Sequence, residues 1–291
     1  MANVINYAEK YTAELDQKIV QEALTGVLET PSVNWMGAKT FQIPTINVSG
    51  YKTHSRNGGF NRGDVETAND PYTLGFDRDI EFFVDRADVD ESAQAASAAN
   101  VTATFMSERA IPEIDAYRFS KLATRAIALG QNTAADAITA ENVYGKLKTA
   151  LLPIRKFGAG NVVMYVSSEV MDALERSTEF VRNIEAGGTG SLDSRVTALD
   201  GVRIIEVWDT DRFKTAFDFT NGFVPAAGAL DINFIIVAKQ AVVAKSKLDY
   251  MALWQPGTHT QGDGYLYQNR LYHDLFVLEG KKEGIYVSTK A

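Results

Sequence analysis

The stretch YTLGFDRDIEFFVDRADVDE, residues 72–91, decides the fold that we predict for this chain. From Tyr72 to Val84 the apolar residues recur at every second position, with Arg78 as the exception. This period of two predicts a strand with one buried face. The acidic end of the stretch, residues 85–91, is typical of a helix N-terminus, where the helix dipole favours carboxylates. The passage therefore predicts a long strand that leads directly into a helix.

The helix predicted next extends from Ala93 to Leu129 and contains one proline, Pro112. A proline fits the first turn of a helical segment, where its missing N–H costs nothing, so a second segment is expected to begin there. At ~1.5 Å per residue, about 37 residues would reach ~55 Å, beyond the ~50 Å diameter of a compact chain of this length. We therefore expect a spine that crosses the molecule. Its predicted buried stripe is Ile114, Phe119, Leu122, Ala126 and Leu129.

A second strand is predicted before residue 72, at residues 40–51. It is expected to be interrupted at Pro44 and to lie at a sheet edge. The two strands are separated by a glycine-rich polar segment that includes residues 55–64 (SRNGGFNRGD). We therefore predict a long antiparallel hairpin, 40–51 with 72–84, that carries a mobile tip. A two-stranded ribbon of ~40 Å is at best marginally stable in water, so the hairpin is expected to need a partner that covers it.

The remaining patterns predict an arm and a mixed domain. Apolar residues at four-residue spacing over 5–28 predict an amphipathic helical arm that ends at Pro31. The middle of the chain is predicted to form a sheet covered by helices, with helices at 141–151 and 169–184 and strands at 162–167, 202–208 and 233–237. A flexible glycine-rich loop is expected at 185–191. Strands at 266–271 and 274–287 are predicted to form a terminal hairpin or meander, with 280–284 as a turn or bulge.

The composition excludes some classes of function. The chain has 291 residues, no Cys, and 29 Lys plus Arg against 37 Asp plus Glu, for a net charge of −8. Without Cys there is no disulfide, thiolate nucleophile or Cys-ligated metal. The acidic balance argues against sequence-independent binding to nucleic acid, which depends on Lys and Arg. No membrane span or secretory signal is readable, so we expect a soluble protein with no membrane partner.

Residues that could carry out catalysis or bind a metal form no recognisable motif. The histidines, His54, His259 and His273, are far apart in sequence, and no His-Glu-x-x-His pattern occurs. The glycine-rich segments lack the strand-to-helix context of a dinucleotide site and the Gly-Lys-Ser/Thr of a phosphate loop. The carboxylates of 85–91 are explained better as helix caps than as a calcium loop. We nominate no catalytic, cofactor-binding or metal-binding residue, although an unrecognised carboxylate-based enzyme stays an alternative.

The order of these parts resembles the major capsid proteins of tailed bacteriophages. The segments that carry the resemblance are 82–91 (FFVDRADVDE), 112–118 (PEIDAYR), 272–278 (YHDLFVL) and 282–287 (KEGIYV). The resemblance implies an α+β fold of the HK-ninety-seven type, which encapsulin nanocompartments share. It implies the following division: an N-terminal arm at 1–36, an extended loop at 37–84, the spine helix and first part of a peripheral domain at 85–135, an axial domain at 136–240, and the second part of the peripheral domain at 241–291.

The resemblance also implies a function. It indicates a non-enzymatic virion subunit that self-assembles into pentamers and hexamers of an icosahedral shell around double-stranded DNA, without a cofactor. Assembly in the host cytoplasm, with scaffold, portal and decoration proteins as further partners, is implied as well. Because the arm leads almost directly into the hairpin, we expect a separate scaffold or none. Some family members join subunits by a Lys–Asn isopeptide bond; Lys52 and Asn269 have the required types, but no local motif links them, and the bond is not expected.

The predicted subunit interface combines residues from three segments. They are Tyr7, Tyr11 and Leu15 of the arm, Lys52, Arg56, Arg62, Asp64 and Glu66 of the hairpin, and Gly187, Gly188 and Gly190, which the resemblance places near a five-fold or six-fold centre. The mixed charges of the hairpin suit contacts at the rim of a neighbour. Alternatives that stay open are an encapsulin-type shell, the carboxylate-based enzyme, and an adhesin that uses the tripeptide at 62–64.

Overall fold

The computed structural model describes residues 21–31, 33, 35–37, 39–54, 58, 60–91, 98–178 and 196–290, with the backbone alone at 90–91, 98–99 and 248–249. The helices are α1 (Arg86–Glu91), α2 (Ala98–Phe105), α3 (Ile111–Ala128), α4 (Val143–Leu151) and α5 (Ser168–Arg176). The strands are β1 (Thr40–Val48), β2 (Val65–Thr73), β3 (Phe76–Asp85), β4 (Asn132–Thr133), β5 (Val162–Ser167), β6 (Ala198–Leu199), β7 (Val202–Val207), β8 (Phe217–Asp218), β9 (Val224–Pro225), β10 (Ile232–Ala238), β11 (Val242–Trp254), β12 (Gly264–Val277) and β13 (Ile285–Thr289). This mixture confirms the predicted α+β class.

The spine is helical from residue 98 to residue 128. Helix α2 continues through a π-helical turn, Met106–Ala110, into α3, and Pro112 lies in the first turn of α3. A proline inside a helix has no N–H to donate and its ring clashes with the carbonyl four residues earlier, here that of Glu108. The wider turn directly before Pro112 accommodates this. The predicted spine is thus confirmed over this range, and residues 92–97 lie outside the described part.

The predicted hairpin exists, but its second strand is different from the one expected. Strand β1 pairs with β2 in antiparallel register from Thr40 opposite Thr73 to Val48 opposite Val65. The alternating stretch is therefore split at residues 74–75, and β3 belongs to another sheet. The side chain of Leu74 is fully buried and the N–H of residue 75 donates to Asp274, which turns the chain there. Strand β1 runs through Pro44 without interruption, contrary to the prediction.

The second sheet has the order β11-β12-β3, and all of its pairs are antiparallel. The predicted terminal hairpin is wrong, because residues 264–277 form one strand and β13 joins a different sheet. Strand β11 was not predicted. The polar residues at 273–274 suggested a break in β12, but they are buried between this sheet and α3, and Asp274 accepts a hydrogen bond from Tyr117 of the spine.

The third sheet has the order β4-β13-β10-β5-β7-β6 and forms the centre of the core. One face, with Val162 and Met164, packs on α4 and α5. The other face, with Val163 and Tyr165, packs on the buried side of α3. The predicted strands at 162–167, 202–208 and 233–237 and the helix at 141–151 are confirmed with small shifts of their ends. The helix predicted at 169–184 ends at Arg176, because Ser177 is extended. Residues 179–184 of the predicted range and the loop predicted at 185–191 lie outside the described residues.

Candidate subunit interface

The outer half of the β1–β2 hairpin projects away from the rest of the described chain. At its base, Phe41 is fully buried and packs with Leu74, Val243 and Tyr272. From residue 44 to the end of β1, and along β2 up to residue 71, all side chains are exposed. The hairpin thus has an anchored base and an uncovered outer half, as expected of a limb that needs a partner.

The two halves of the hairpin carry their apolar residues on opposite faces. Directly paired residues of an antiparallel ribbon point to the same side. At the base, Phe41 and Ile43 occupy one face and contact the body of the chain. Beyond Pro44, the residues Ile46 and Val48 occupy the other face, with Val65 opposite Val48. These three form the outer stripe, and they are 68–70% exposed.

The tip beyond this outer stripe is also rich in exposed aromatic residues. Phe60 is 97% exposed and Tyr51 has no cover at all. Each fully buried side chain of this size contributes ~1.5–3 kcal/mol relative to water. An exposed set of large apolar side chains on one projecting element marks a protein interaction site. The face opposite the outer stripe carries Thr45 and Asn47 instead, so that the ribbon is apolar on one side only.

The described charged residues of the predicted interface lie together near the tip. Lys52, Arg62, Asp64 and Glu66 are all exposed, and the Nζ of Lys52 donates to the carbonyl oxygen of Arg62 at 2.9 Å. The backbone N–H of Asp64 donates to the hydroxyl of Ser49 at 2.9 Å. Whether they contact a neighbour stays a prediction. The other nominated residues lie outside the described residues: Tyr7, Tyr11, Leu15, Arg56, Gly187, Gly188 and Gly190.

A buried junction where the arm meets the spine was missed by the sequence analysis. The carboxylate of Asp115 is fully buried and accepts hydrogen bonds from the backbone N–H groups of Leu24 (2.9 Å) and Thr25 (3.0 Å). These bonds replace intrahelical ones, and residues 21–24 are not helical while residues 25–28 form a single 3₁₀ turn. The predicted helical arm therefore does not extend to residue 28.

Two arginines complete this junction. Arg212, also fully buried, donates to Asp115 at 3.0 Å, to Asp209 at 2.9 Å and to the carbonyl oxygen of Gln21 at 2.8 Å. Arg118 donates to the carbonyl oxygen of Thr25 at 3.3 Å, and burial lowers its pKa. The sequence contained a sign that Asp115 is buried, because Asp115 lies four residues before Phe119 and seven before Leu122, on the predicted buried face of α3.

A second buried polar group joins the spine to the base of the hairpin. Asp274 of β12 accepts a hydrogen bond from the Tyr117 hydroxyl at 2.9 Å and one from the N–H of Gly75 at 3.0 Å. His273 beside it is 1% exposed, and burial lowers its pKa to about 3. The base of the hairpin and residues 24–25 of the arm are therefore both fixed to α3.

The histidines are not brought together. His54 lies at the hairpin tip, His259 contacts the ring of Phe83, and His273 lies in the core. Within the described ranges, no group of three or more His, Asp or Glu side chains is placed to hold a metal ion. No described helix is both long and apolar enough to cross a membrane.

Comparisons with known proteins identify the fold. No family model matches the chain, and no curated protein matches its sequence. The asymmetric unit of the bacteriophage PhiM1 mature capsid matches with a TM-score of 0.68 and 11% identity, over 98% of this chain and 92% of that chain. The capsid structure of the cyanophage P-SCSP1u matches with a TM-score of 0.66 and 13% identity, over 98% and 93%. A structure from Mycobacterium phage Che8 matches with a TM-score of 0.57 and 14% identity, over 98% of both chains. The chain therefore has the tailed-phage major-capsid fold, as the resemblance predicted.

Proposed function

We propose that this chain is the major capsid protein of a tailed bacteriophage, a structural subunit without enzymatic activity. It assembles into pentamers and hexamers, and these form an icosahedral shell around double-stranded DNA. The observation that carries the proposal is the change of apolar face along the hairpin. Ile43 faces the chain's own body, whereas Ile46 and Val48 face away from it. A second copy is the partner that meets this face in every subunit of a closed ring.

The energetics favour closed assemblies over isolated dimers. The outer stripe and the two tip aromatics together contribute roughly 8–15 kcal/mol if a neighbour buries them completely. Association of two proteins costs an estimated 4–15 kcal/mol in lost freedom. One hairpin contact alone therefore yields little net affinity. In a closed ring each subunit both covers a neighbour and is covered, so the last subunit to join gains two contacts for one loss of freedom.

The remaining parts take supporting roles in this proposal. Lys52, Arg62, Asp64 and Glu66 make rim contacts on the neighbour, together with Arg56. The arm residues Tyr7, Tyr11 and Leu15 pack on adjacent subunits, and Gly187, Gly188 and Gly190 lie near the ring centre. The proposed division is an arm at 1–36, a loop at 37–84, a peripheral domain at 85–135 and 241–291, and an axial domain at 136–240. The net charge of −8 suits a shell that encloses DNA without holding it tightly.

Substitutions on the two faces of the hairpin test the proposal. Ile46→Asp with Val48→Asp places two carboxylates in the outer stripe, and we expect a folded protein that forms no shells. Thr45→Asp with Asn47→Asp adds the same charge to the opposite face of the same strand and should leave assembly intact. Light scattering and negative-stain electron microscopy measure the outcome. Shells from the first variant, equal in number to wild-type shells, would refute the role of the outer stripe.

The contents of the particles separate a virion shell from an encapsulin-type compartment. In an infected host, particles of the proposed capsid are expected to contain DNA that nuclease does not digest. Purified particles that instead hold one copurifying enzyme would favour the encapsulin-type alternative. Scaffold, portal and decoration proteins are proposed partners, and these would appear in the same preparation.

A further inference from the structure

A cleft of about 480 Å³ lies beside the π-helical turn of the spine, between β3, β12 and the start of α3. Its walls are mainly apolar. Ile80 and Phe82 come from β3, Phe105 and Met106 from the spine, and Leu271 from β12. Pockets that bind small molecules typically measure ~300–1,000 Å³ and have mostly apolar walls. The cleft is therefore large enough for a fused aromatic ring system or a medium-length aliphatic chain.

The cleft also contains two arginines, of which one is committed to its own chain. The Nε of Arg78 donates to Glu113 at 2.6 Å, and its Nη1 donates to the carbonyl oxygen of Phe219 at 2.7 Å. Arg109, in contrast, is exposed and makes no ion pair or side-chain hydrogen bond with any residue that the structure describes. A guanidinium group binds a carboxylate through two parallel hydrogen bonds. Arg109 thus offers an unused anion-binding group beside apolar walls.

A buried, uncharged histidine also lines the cleft. His273 contributes to the lining and is 1% exposed. Burial lowers its pKa to about 3, so the imidazole is neutral at neutral pH. Its Nδ1 has no hydrogen-bond partner among the described atoms. His273 therefore adds no charge to the cleft, and the unpaired positive charge of the lining is that of the exposed Arg109.

We propose that this cleft binds a small amphipathic carboxylate, with an aromatic or medium-chain aliphatic body. The body packs against the apolar wall that Phe82, Phe105 and Met106 form, and the carboxylate pairs with Arg109. The acidic residues that also line the cleft, Asp79 and Glu113, restrict the ligand to one anionic group, because a second would be repelled. All of these residues belong to one chain, so the proposed site is complete in an unassembled subunit.

Isothermal titration with 2-naphthoate and its uncharged analogue 2-naphthamide tests the proposal on the full-length chain. The two probes share an aromatic body and differ in the carboxylate. We expect saturable binding of naphthoate with one site per chain, at least about 10-fold tighter than binding of naphthamide, because a charge-assisted bond to Arg109 is available only to naphthoate. Absence of saturable naphthoate binding, or equal affinity for both probes, would overturn the proposal.

Variants of exposed arginines locate the site. Arg109→Gln is expected to weaken naphthoate binding about 10-fold or more and to leave naphthamide binding unchanged, while Arg109→Lys should retain part of the difference. Arg86→Gln is the matched control, since Arg86 is also exposed but does not line the cleft. Naphthoate affinity that is unchanged in Arg109→Gln, or reduced equally in Arg86→Gln, would contradict the assignment. The binding measurement needs no shells, so its result does not depend on the proposed capsid function.

Discussion

His273, Asp274 and Tyr117 form a buried group whose protonation is set by its surroundings. The pKa of His273 is lowered to about 3, first by burial and then by the positive charges of Arg118 and Arg78. The pKa of the Tyr117 hydroxyl is raised by burial and by the Asp274 carboxylate that accepts its hydrogen bond. The folded chain therefore keeps His273 neutral at pH values where a histidine in water is protonated.

This protonation difference makes the folded state sensitive to acid. Unfolded His273 takes up a proton near its ordinary pKa of 6.5, whereas folded His273 does so only near pH 3. Between these values the unfolded state binds more protons, so the free energy of unfolding decreases as the pH falls below about 6.5. At pH 5 the expected loss is about 2 kcal/mol.

Denaturation of two variants measures this loss. Both proteins carry Ile46→Asp and Val48→Asp, which are expected to keep them unassembled; this double variant is called the unassembled background. One of the two proteins also carries His273→Phe. The difference in free energy of unfolding between the two proteins should change by about 2 kcal/mol between pH 7.5 and pH 5. Groups other than His273 titrate in both proteins and cancel. If the free energies of unfolding of the two proteins changed in parallel between pH 7.5 and pH 5, His273 would not be the cause of the acid sensitivity.

At the scale of elements, local patterns predicted what depends on near neighbours. Strand β5 was found because residues 162–166 are five consecutive apolar residues, and the spine because few residues interrupt its helical period. Strand β11 was missed because Lys245, Lys247 and Asp249 interrupt its apolar pattern in the sequence, and β12 appeared broken at the polar residues His273 and Asp274. Lys245 donates to the carbonyl oxygen of Thr30, and Lys247 lies over the ring of Trp35, contacts far along the chain that spacing in the sequence does not reveal.

The hairpin illustrates how far such patterns reach. The change of apolar phase at Pro44 was visible in the sequence, but the interruption predicted from it was wrong, because β1 pairs continuously through Pro44. The sequence could not show that the chain moves from one sheet to another at Gly75, because the cause is a hydrogen bond to the distant Asp274. Likewise, the role of Asp115 depends on Arg212, almost a hundred residues away.

The pairing of β3 with β12 leads to a prediction at this scale. Gly264 begins β12 opposite Asp85, and a β-carbon there would clash with the carbonyl oxygen of Val84 and lie 2.7 Å from the ring of Phe83. Gly264→Ala must therefore push the two strands apart, at a cost of about 1–3 kcal/mol in the free energy of unfolding. Gly280→Ala is the control, since nothing lies within 4 Å of its β-carbon. Urea denaturation of both variants, each made in the unassembled background, should give a lower free energy of unfolding for Gly264→Ala than for Gly280→Ala. Equal free energies would contradict the predicted clash.

At the scale of the whole molecule, the described end of the arm and the base of the hairpin are both held by one helix. Leu24 and Thr25 of the arm are held to α3 by Asp115, and the base of the hairpin is held by Tyr117 through Asp274. These two residues of α3 are one half-turn apart, so that the spine fixes the origin of both limbs together. The loop after β7 joins the same junction through Arg212. A displacement of α3 would therefore redirect the arm and the hairpin at once.

Asp115→Asn tests this coupling. The aspartate accepts bonds from Leu24, from the N–H and hydroxyl of Thr25, and from Arg212. An asparagine replaces one acceptor oxygen by a donor, which leaves at least one of these buried donors unpaired and removes one of the two carboxylates that pair with Arg212. We expect a loss of about 3–5 kcal/mol in the free energy of unfolding. Glu113→Gln on the same helix, in a more exposed pair with Arg78, should cost about 1 kcal/mol.

Amide hydrogen exchange distinguishes loss of the junction from general destabilisation. In the unassembled background, Asp115→Asn should accelerate exchange at Leu24 and Thr25, whose N–H groups donate directly to the carboxylate, far more than at Val163 in the central sheet. If the two regions accelerated equally, Asp115 would only stabilise the fold as a whole. If exchange at Leu24 and Thr25 stayed at the wild-type rate, the arm would be held by other contacts. Selective acceleration would establish that residues 24–25 are positioned through the spine, and Asp115→Asn made alone in the wild-type chain should then fail to assemble although its central sheet is intact.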